Sequence, residues 1–347
     1  MTLHIFNPEH DIALASGLAN FTAPHAGRQL RHDLGWLPAL WAAGDDDVIL
    51  VDDVEKSVRA ARRRKAGLTR FVTRRQLATL AIDHIEPWGW DAALCAQLLR
   101  AGVDGRLMPS ADQLETIRQL SHRRTAATLL PFLRMEGTVG ESFECGAEGQ
   151  VQALMERYGQ VVLKAPWSSS GRGIRFVGIT LDEQNVRGWL RNTLTRQGSV
   201  MVEPFYYKVK DFGMEFLSDG HGVVSYLGLS LFHTENGAYT GNLLATETAK
   251  REMLGHYLPL DLLDAVQQNL CTLLGERLGG QYSGPLGIDM MICLSQGRLL
   301  LHPCVEMNLR RTMGHAALAL SPDDDDIRHV MRFEYALNNY KLCIKRL

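Results

Sequence analysis

The sequence lacks the short signatures that mark many nucleotide-binding and hydrolytic enzymes. It has no GxxxxGK[ST] stretch, which excludes a P-loop. No GxGxxG follows the first apolar segment, so a dinucleotide Rossmann site is unsupported. No GxSxG marks a hydrolase elbow. The six cysteines (Cys95, Cys145, Cys271, Cys293, Cys304 and Cys343) include no CxxC pair, which argues against a zinc or redox motif and against a disulfide framework. No apolar run is long enough to span a bilayer, so no membrane association is expected. The opening MTLHIFNPEHDIALA lacks a basic region followed by an apolar core and does not read as a signal peptide. These features together fit a reducing cytoplasm. Net charge is only -2, so bulk electrostatics favour neither nucleic acid nor an acidic membrane. One basic run, Arg59 to Arg75, lacks interleaved aromatics and reads as a solvated helix face plus a loop.

What is present is an ordinary globular composition, with 46% hydrophobic and 22% charged residues. A chain of 347 residues is too long for one core, and two or three domains are expected. Residues 1–110 read as an α/β domain with a parallel sheet. LHIF and DVILVDD are short buried strands, and RQLATLAI and DAALCAQLLRAGV are helices, the second ending near Gly102. A helix capped by Ser110 opens the next region. VVLKAPWSSSGRGIRFV then reads as strand, loop, strand, with Lys164 at the end of a buried strand. SVMVEPF, DFGMEFL and GVVSYLGLSLF read as strands. LPLDLLDAVQQNLCTLLGERL is the longest helix candidate. GPLGIDMMICL and GRLLLHPCVEMN form a strand pair joined through SQG. DDDDIRHVMRFEYALNNYKLCI is expected to be helical, its aspartates favouring the helix N-terminus.

Four groups of residues carry candidate chemistry. Asp289 sits inside an apolar strand, and Glu306 and Asn308, two apart, share one face of another. Two carboxylates and an amide oxygen make a hard ligand set suited to Mg²⁺ or Mn²⁺. A buried acid paired with the adjacent Arg310 and Arg311 is an equal reading of those residues alone. Lys164 before a serine-glycine loop suits a polyanion. Its plain alternatives are a snorkelling lysine and a hairpin turn. Two polar stretches are substrate candidates. One is GLSLFHTENGAYTGNLLA, with His233, Tyr239 and Asn242, read as a long polar insertion or a surface hairpin. The other is the N-terminal segment with Asn7, Glu9 and His10, whose His-Asp pairs weakly suggest a metallohydrolase.

The order of Lys164, the SSSGRG loop, Glu203, Asp211, Asp289 and Glu306-x-Asn308 resembles the ATP-grasp superfamily over about residues 110 to 320. The resemblance implies a pre-ATP-grasp α/β domain over 1–110, a central subdomain with a phosphate lid over 111–195, and a C-terminal subdomain with the metal site over 196–347. By the same resemblance Lys164 would hold phosphate, and Ser168, Ser169, Ser170, Gly171 and Gly173 would belong to the lid. Arg123 or Arg124 would also reach phosphate. Glu203 would lie at the adenine hinge and Asp211 near ribose. Asp289, Glu306 and Asn308 would bind the metal, and Arg310 would face the transferred phosphoryl group. Arg311 is a further substrate candidate. The implied activity is an ATP- and Mg²⁺-dependent ligation of a small carboxylate to an amine or thiol acceptor, with no nucleic-acid partner. A small-molecule kinase and a non-catalytic nucleotide-binding protein are the alternatives. Nothing in the sequence indicates an oligomeric state.

Overall fold

A computed structural model describes residues 1–64, 66, 69–168, 173–178, 184–235 and 238–347. Its elements begin with β1 (Thr2–Ile5), α1 (His10–Ser16), α2 (His25–Leu34), β2 (Val48–Leu50), α3 (Val54–Arg63), β3 (Arg70–Val72), β4 (His84–Pro87), α4 (Ala92–Arg100) and α5 (Ala111–Leu120). There follow α6 (Arg124–Leu129), β5 (Phe143–Cys145), α7 (Glu148–Tyr158), β6 (Val161–Lys164), β7 (Ile174–Val177), α8 (Gln184–Gln197), β8 (Val200–Pro204), β9 (Tyr207–Ser218) and β10 (Val224–Glu235). The remainder is β11 (Ala238–Leu244), α9 (Glu247–Gly255), α10 (Leu260–Leu278), β12 (Gly284–Ser295), β13 (Arg298–Asn308), α11 (Met313–Leu320), β14 (His329–Ala336) and β15 (Asn339–Arg346). Contacts divide the chain into two units. The first comprises Met1–Arg118, Gly241–Ala245 and Arg310–Leu347; the second comprises Gln119–Thr240 and Thr246–Leu309.

In the first unit, β1 is paired in parallel with β2 on one side and β4 on the other, and β3 follows beyond β2. Leu3 and Ile5 are buried on one face of β1, and His4, buried on the other, contacts Asp47 at 3.1 Å and Glu86 at 3.5 Å. Asp53 and Asp91 accept backbone N–H groups at the starts of α3 and α4. A second core joins Phe6, Trp36, Leu37 and Trp88 to Leu244, Ala317, Met331 and Leu342.

Two sequence expectations fail here. RQLATLAI is not an α-helix; Arg74–Thr79 form 3₁₀ turns, held by a capping box between Thr73 and Gln76. The C-terminal stretch is not helical. It forms the antiparallel pair β14–β15, and the four aspartates precede a strand. Its alternation in MRFEYA has period two. Leu337 and Asn338 both take positive φ, the conformation of a two-residue hairpin turn.

The second unit holds an antiparallel sheet ordered β5-β8-β6-β7, with its core built from Val161, Leu163, Val200, Val202, Val151 and Leu190. It also holds the long antiparallel run β13-β12-β9-β10. The SQG turn joins β12 to β13 with Gln296 and Gly297 at positive φ. The stretch read as a polar insertion is mostly strand, forming β10 and β11.

Candidate nucleotide and metal site

Within the second unit, β6 presents Lys164 on the same face as Val162, and Val162 lies opposite Glu203 of β8. The two charged groups meet diagonally, with Lys164 Nζ 2.6 Å from Glu203 Oε2, both side chains buried. Ser142 Oγ donates to the other carboxylate oxygen of Glu203 at 3.3 Å. A buried ion pair survives only when its charges are mutually compensated, so this pair holds the lysine at a fixed place.

Across the sheet edge, Asp289 of β12 stands directly opposite Glu306 of β13. Asn308 Nδ2 donates to Asp289 Oδ2 at 3.3 Å. Gly213 of β9 faces the same carboxylate; a Cβ there would lie 3.5 Å from Asp289 Oδ1. The three side chains form an all-oxygen set on one face. Among the described residues no three His, Cys, Asp or Glu gather to hold a metal; here the acids are a pair, Asp289 and Glu306, with Asn308 beside them. Two carboxylates and an amide fit a hard divalent cation that completes its sphere with phosphate and water.

Arg123 ties these groups together. Its Nη1 donates to Ala165 O and to Ser168 Oγ, both at 2.6 Å, and its Nη2 donates to Glu306 Oε1 at 2.8 Å. Its backbone N–H donates to Pro166 O. Arg124, the neighbouring residue, turns outward to Glu144 and Gln119. Of the two arginines, the structure brings Arg123 to the site. One step along a helix start changes the direction by roughly 100°.

The loop after Lys164 is closed at its ends: Ala165 N donates to Gly173 O at 2.8 Å. Ser168 packs beneath Gly173, where a Cβ would come within 2.3 Å of Ser168 Oγ. Only glycine fits there. Ser169, Ser170 and Gly171 lie outside the described residues.

Cys304 of β13, two residues before Glu306, is buried. Burial raises the Cys304 thiol pKa, and Asp289, Glu203 and Glu306 raise it further while Lys164 opposes them. This thiol therefore feels both groups. His302, two residues earlier, is buried, and neither ring nitrogen has a hydrogen-bond partner among the described residues. Burial, then the Lys164 charge, push its pKa down to about 3. The ring of Tyr206 packs edge-on against it at 5.5 Å, and burial raises the Tyr206 phenol pKa. Sequence reasoning missed His302. Its signal was a histidine in the apolar run LLLHPC.

Several expected site residues are engaged elsewhere. Asp211 binds Lys208 at 2.6 Å and Thr234. In the first unit, Arg310 makes a two-pronged pair with Asp11, both contacts 2.8 Å. Arg311 reaches Glu86 at 3.1 Å and stacks over Trp41. Asn7 donates to Gly89 O and Asp91, His10 also contacts Asp91, and Glu9 pairs with Arg31. His233 and Tyr239 lie on β10 and β11, and burial raises the Tyr239 phenol pKa. Asn242 is buried on β11, opposite Met331.

No family model matches the sequence, and no curated protein matches it. Solved structures do match the fold. N5-carboxyaminoimidazole synthetase from Staphylococcus aureus, complexed with ADP, superposes with a TM-score of 0.52 at 12% identity, covering 96% of this chain and 82% of that one. The biotin carboxylase of Campylobacter jejuni gives 0.54 at 13% identity, over 96% of this chain and 75% of that one. The biotin carboxylase domain of the Hydrogenobacter thermophilus 2-oxoglutarate carboxylase, with MgADP and bicarbonate, gives 0.53 at 13% identity, over 87% and 72%. The chain has the ATP-grasp fold. Its α/β class, with a parallel sheet first and antiparallel sheets after, is the one the sequence led us to expect. No helix among the described residues is long and apolar enough to cross a membrane.

Proposed function

We propose that the protein is an ATP- and Mg²⁺-dependent ligase that activates a small carboxylate as an acyl-phosphate for attack by an amine or thiol. The observation that carries this reading is Arg123, which joins the root of the loop after Lys164 to the carboxylate pair. A phosphate chain lying between Lys164 and Asp289–Glu306 would meet positive charge at one end and a cation site at the other. Two neighbours were solved with ADP and with MgADP, which supports a nucleotide as the ligand. Mg²⁺, when bound by Asp289, Glu306 and Asn308, would offset charge on the phosphates. Lys164 would hold phosphate oxygens while Glu203 fixes its ammonium. Arg123 would orient Glu306 and anchor Ser168 beneath the loop. The buried Tyr206–His302 wall would exclude water from the acyl-phosphate. No protein nucleophile is needed, because phosphoryl transfer depends on positioning and charge neutralisation.

The test is the melting temperature with a non-hydrolysable ATP analogue, with and without Mg²⁺. Wild type should show a Mg²⁺-dependent rise, because a ligand of the folded state alone must stabilise it. Lys164→Ala, Glu306→Gln and Arg123→Lys should each cut that rise, whereas Arg124→Ala should leave it intact. A folded wild type with no shift would sink the nucleotide reading. ADP release with pairs of acids and amines would then test ligation itself.

A further inference from the structure

The first unit contains a crevice of about 280 Å³ that the nucleotide reading does not use. It opens beyond the carboxyl ends of β1 and β2 and is lined by Asn7, Glu9, Asp52 and Asp91 together with four arginines. In the strand order β3-β2-β1-β4, successive strands run outward from β1 and the chain then returns to its other side. Open parallel sheets bind ligands in the crevice at such a reversal.

The charges there are unevenly matched. Arg31 is neutralised by Glu9 and, at 3.6 Å, by Asp52. Asp91 is saturated by Asn7, His10 and the backbone N–H of Leu94. Among the described residues, the other three guanidiniums are hydrogen-bonded only to neutral oxygens. Arg28 Nη1 donates to Ala23 O at 2.8 Å, Arg74 Nη2 to Gln97 Oε1 at 2.6 Å, and Arg100 Nε to Ala96 O at 3.0 Å. Desolvation in the crevice, then the like charge of Arg31, lower the pKa of Arg74; Arg100 adds to this, and Asp52 and Glu9 oppose it. An anion among these arginines would relieve that repulsion. Deeper in the wall, Glu9 is 7% exposed, and its Oε2 is buried with no hydrogen-bond partner among the described residues. A buried carboxylate oxygen without a partner costs free energy that a ligand donor recovers. Arginine's planar fork suits carboxylate and phosphate alike.

We propose that this crevice binds a small oxyanion-bearing molecule, with its phosphate or carboxylate among Arg28, Arg74 and Arg100 and a hydroxyl or amine hydrogen-bonded to Glu9 Oε2. That the occupant is a co-substrate of the ligation rests on the reading above; the binding itself does not.

The experiment measures the melting temperature of the whole chain against inorganic phosphate in one arm and succinate in the other, with ionic strength held constant by chloride. At least one arm should show a saturable rise, and the stronger arm names the anionic group. Arg28→Gln and Arg74→Gln should each weaken that response by roughly tenfold or more, the loss of one charge-assisted hydrogen bond. Among the described residues both arginines are hydrogen-bonded only to neutral oxygens, so the ligand-free melting temperature of each variant should stay close to wild type. Lys164→Ala should leave the response unchanged. That variant separates the two sites: an anion response that persists when the ATP-analogue shift is lost keeps this proposal even if the ligase reading fails. No rise in either arm overturns it. So does a rise that survives both arginine substitutions, or one that disappears in Lys164→Ala, which would place the anion at the nucleotide site.

Discussion

At the scale of single residues, the chemistry of the proposed nucleotide site was legible as types and order, and its pairings were not. Lys164, Glu203, Asp289, Glu306 and Asn308 stand out as polar groups at strand positions. That Lys164 closes on Glu203, or that Arg123 rather than Arg124 reaches Glu306, depends on register and helix phase. Asn7, Glu9 and His10 read as a substrate cluster because three polar residues lie close in sequence. Their partners, Gly89, Arg31 and Asp91, lie 22 to 82 positions away, and no local pattern reveals them. His302 supplies a prediction at this scale. Its pKa is held down to about 3 by burial and by Lys164, against about 6.5 in an unfolded chain. Between those values the unfolded state binds the extra proton, so stability must rise with pH. The contribution is full above about 6.5 and is lost as pH falls toward 3. Each pH unit inside the window is worth about 1.4 kcal/mol. His302→Leu, which cannot titrate, should give a shallower acid limb by close to one proton in urea unfolding measured between pH 7 and 4. An unchanged slope would mean that His302 is already charged in the fold.

At the scale of elements, apolar runs of period two or with a clear helical repeat were read correctly, as in β1, β12, β13 and α10. One error fell where charge imitated a helix start. DDDD before an alternating stretch suggested a capped helix, but MRFEYA and NYKLCI place one face of each strand against a partner, and a two-residue turn joins them. That turn carries a cost. Leu337 takes φ 52° and is 89% exposed, so it gains almost nothing from packing. A left-handed conformation costs a non-glycine residue roughly 1–2 kcal/mol. Leu337→Gly should therefore stabilise the protein by about 0.5–1 kcal/mol, after the greater chain entropy of glycine in the unfolded state is subtracted. Chemical denaturation of the two proteins measures this directly. A loss of stability would show that the Leu337 side chain makes a contact worth more than the backbone strain.

At the scale of the whole molecule, a linear reading cuts the chain into contiguous segments, here 1–110, 111–195 and 196–347. The contact units are not contiguous. The chain passes between them at 118/119, 240/241, 245/246 and 309/310, inside or beside regular elements and without Pro- or Gly-rich linkers. No composition shift marks such crossings, which is why the sequence hides them. The physical consequence lies in the core of the first unit. Phe6, Trp36 and Trp88 pack with Leu244, Ala317, Met331 and Leu342, which the chain supplies more than a hundred residues later. Asp33 depends on the same late segment. Burial raises its pKa, but hydrogen bonds from Lys56, Gln29 and the Tyr340 backbone outweigh that and hold it below the usual carboxylate range. Lys56 itself is shared with Asn339. A fragment of residues 1–118 would leave Asp33 without one donor and expose the faces of three aromatics. Each large apolar side chain stripped of its partners forfeits roughly 1.5–3 kcal/mol, and a domain has only about 5–15 kcal/mol to lose. The fragment should therefore show no cooperative urea transition and a red-shifted tryptophan emission, while the full chain shows neither defect. A cooperative transition with buried tryptophans in the fragment would mean that β1–β4 and their helices form a self-sufficient domain, with β14 and β15 as an accessory.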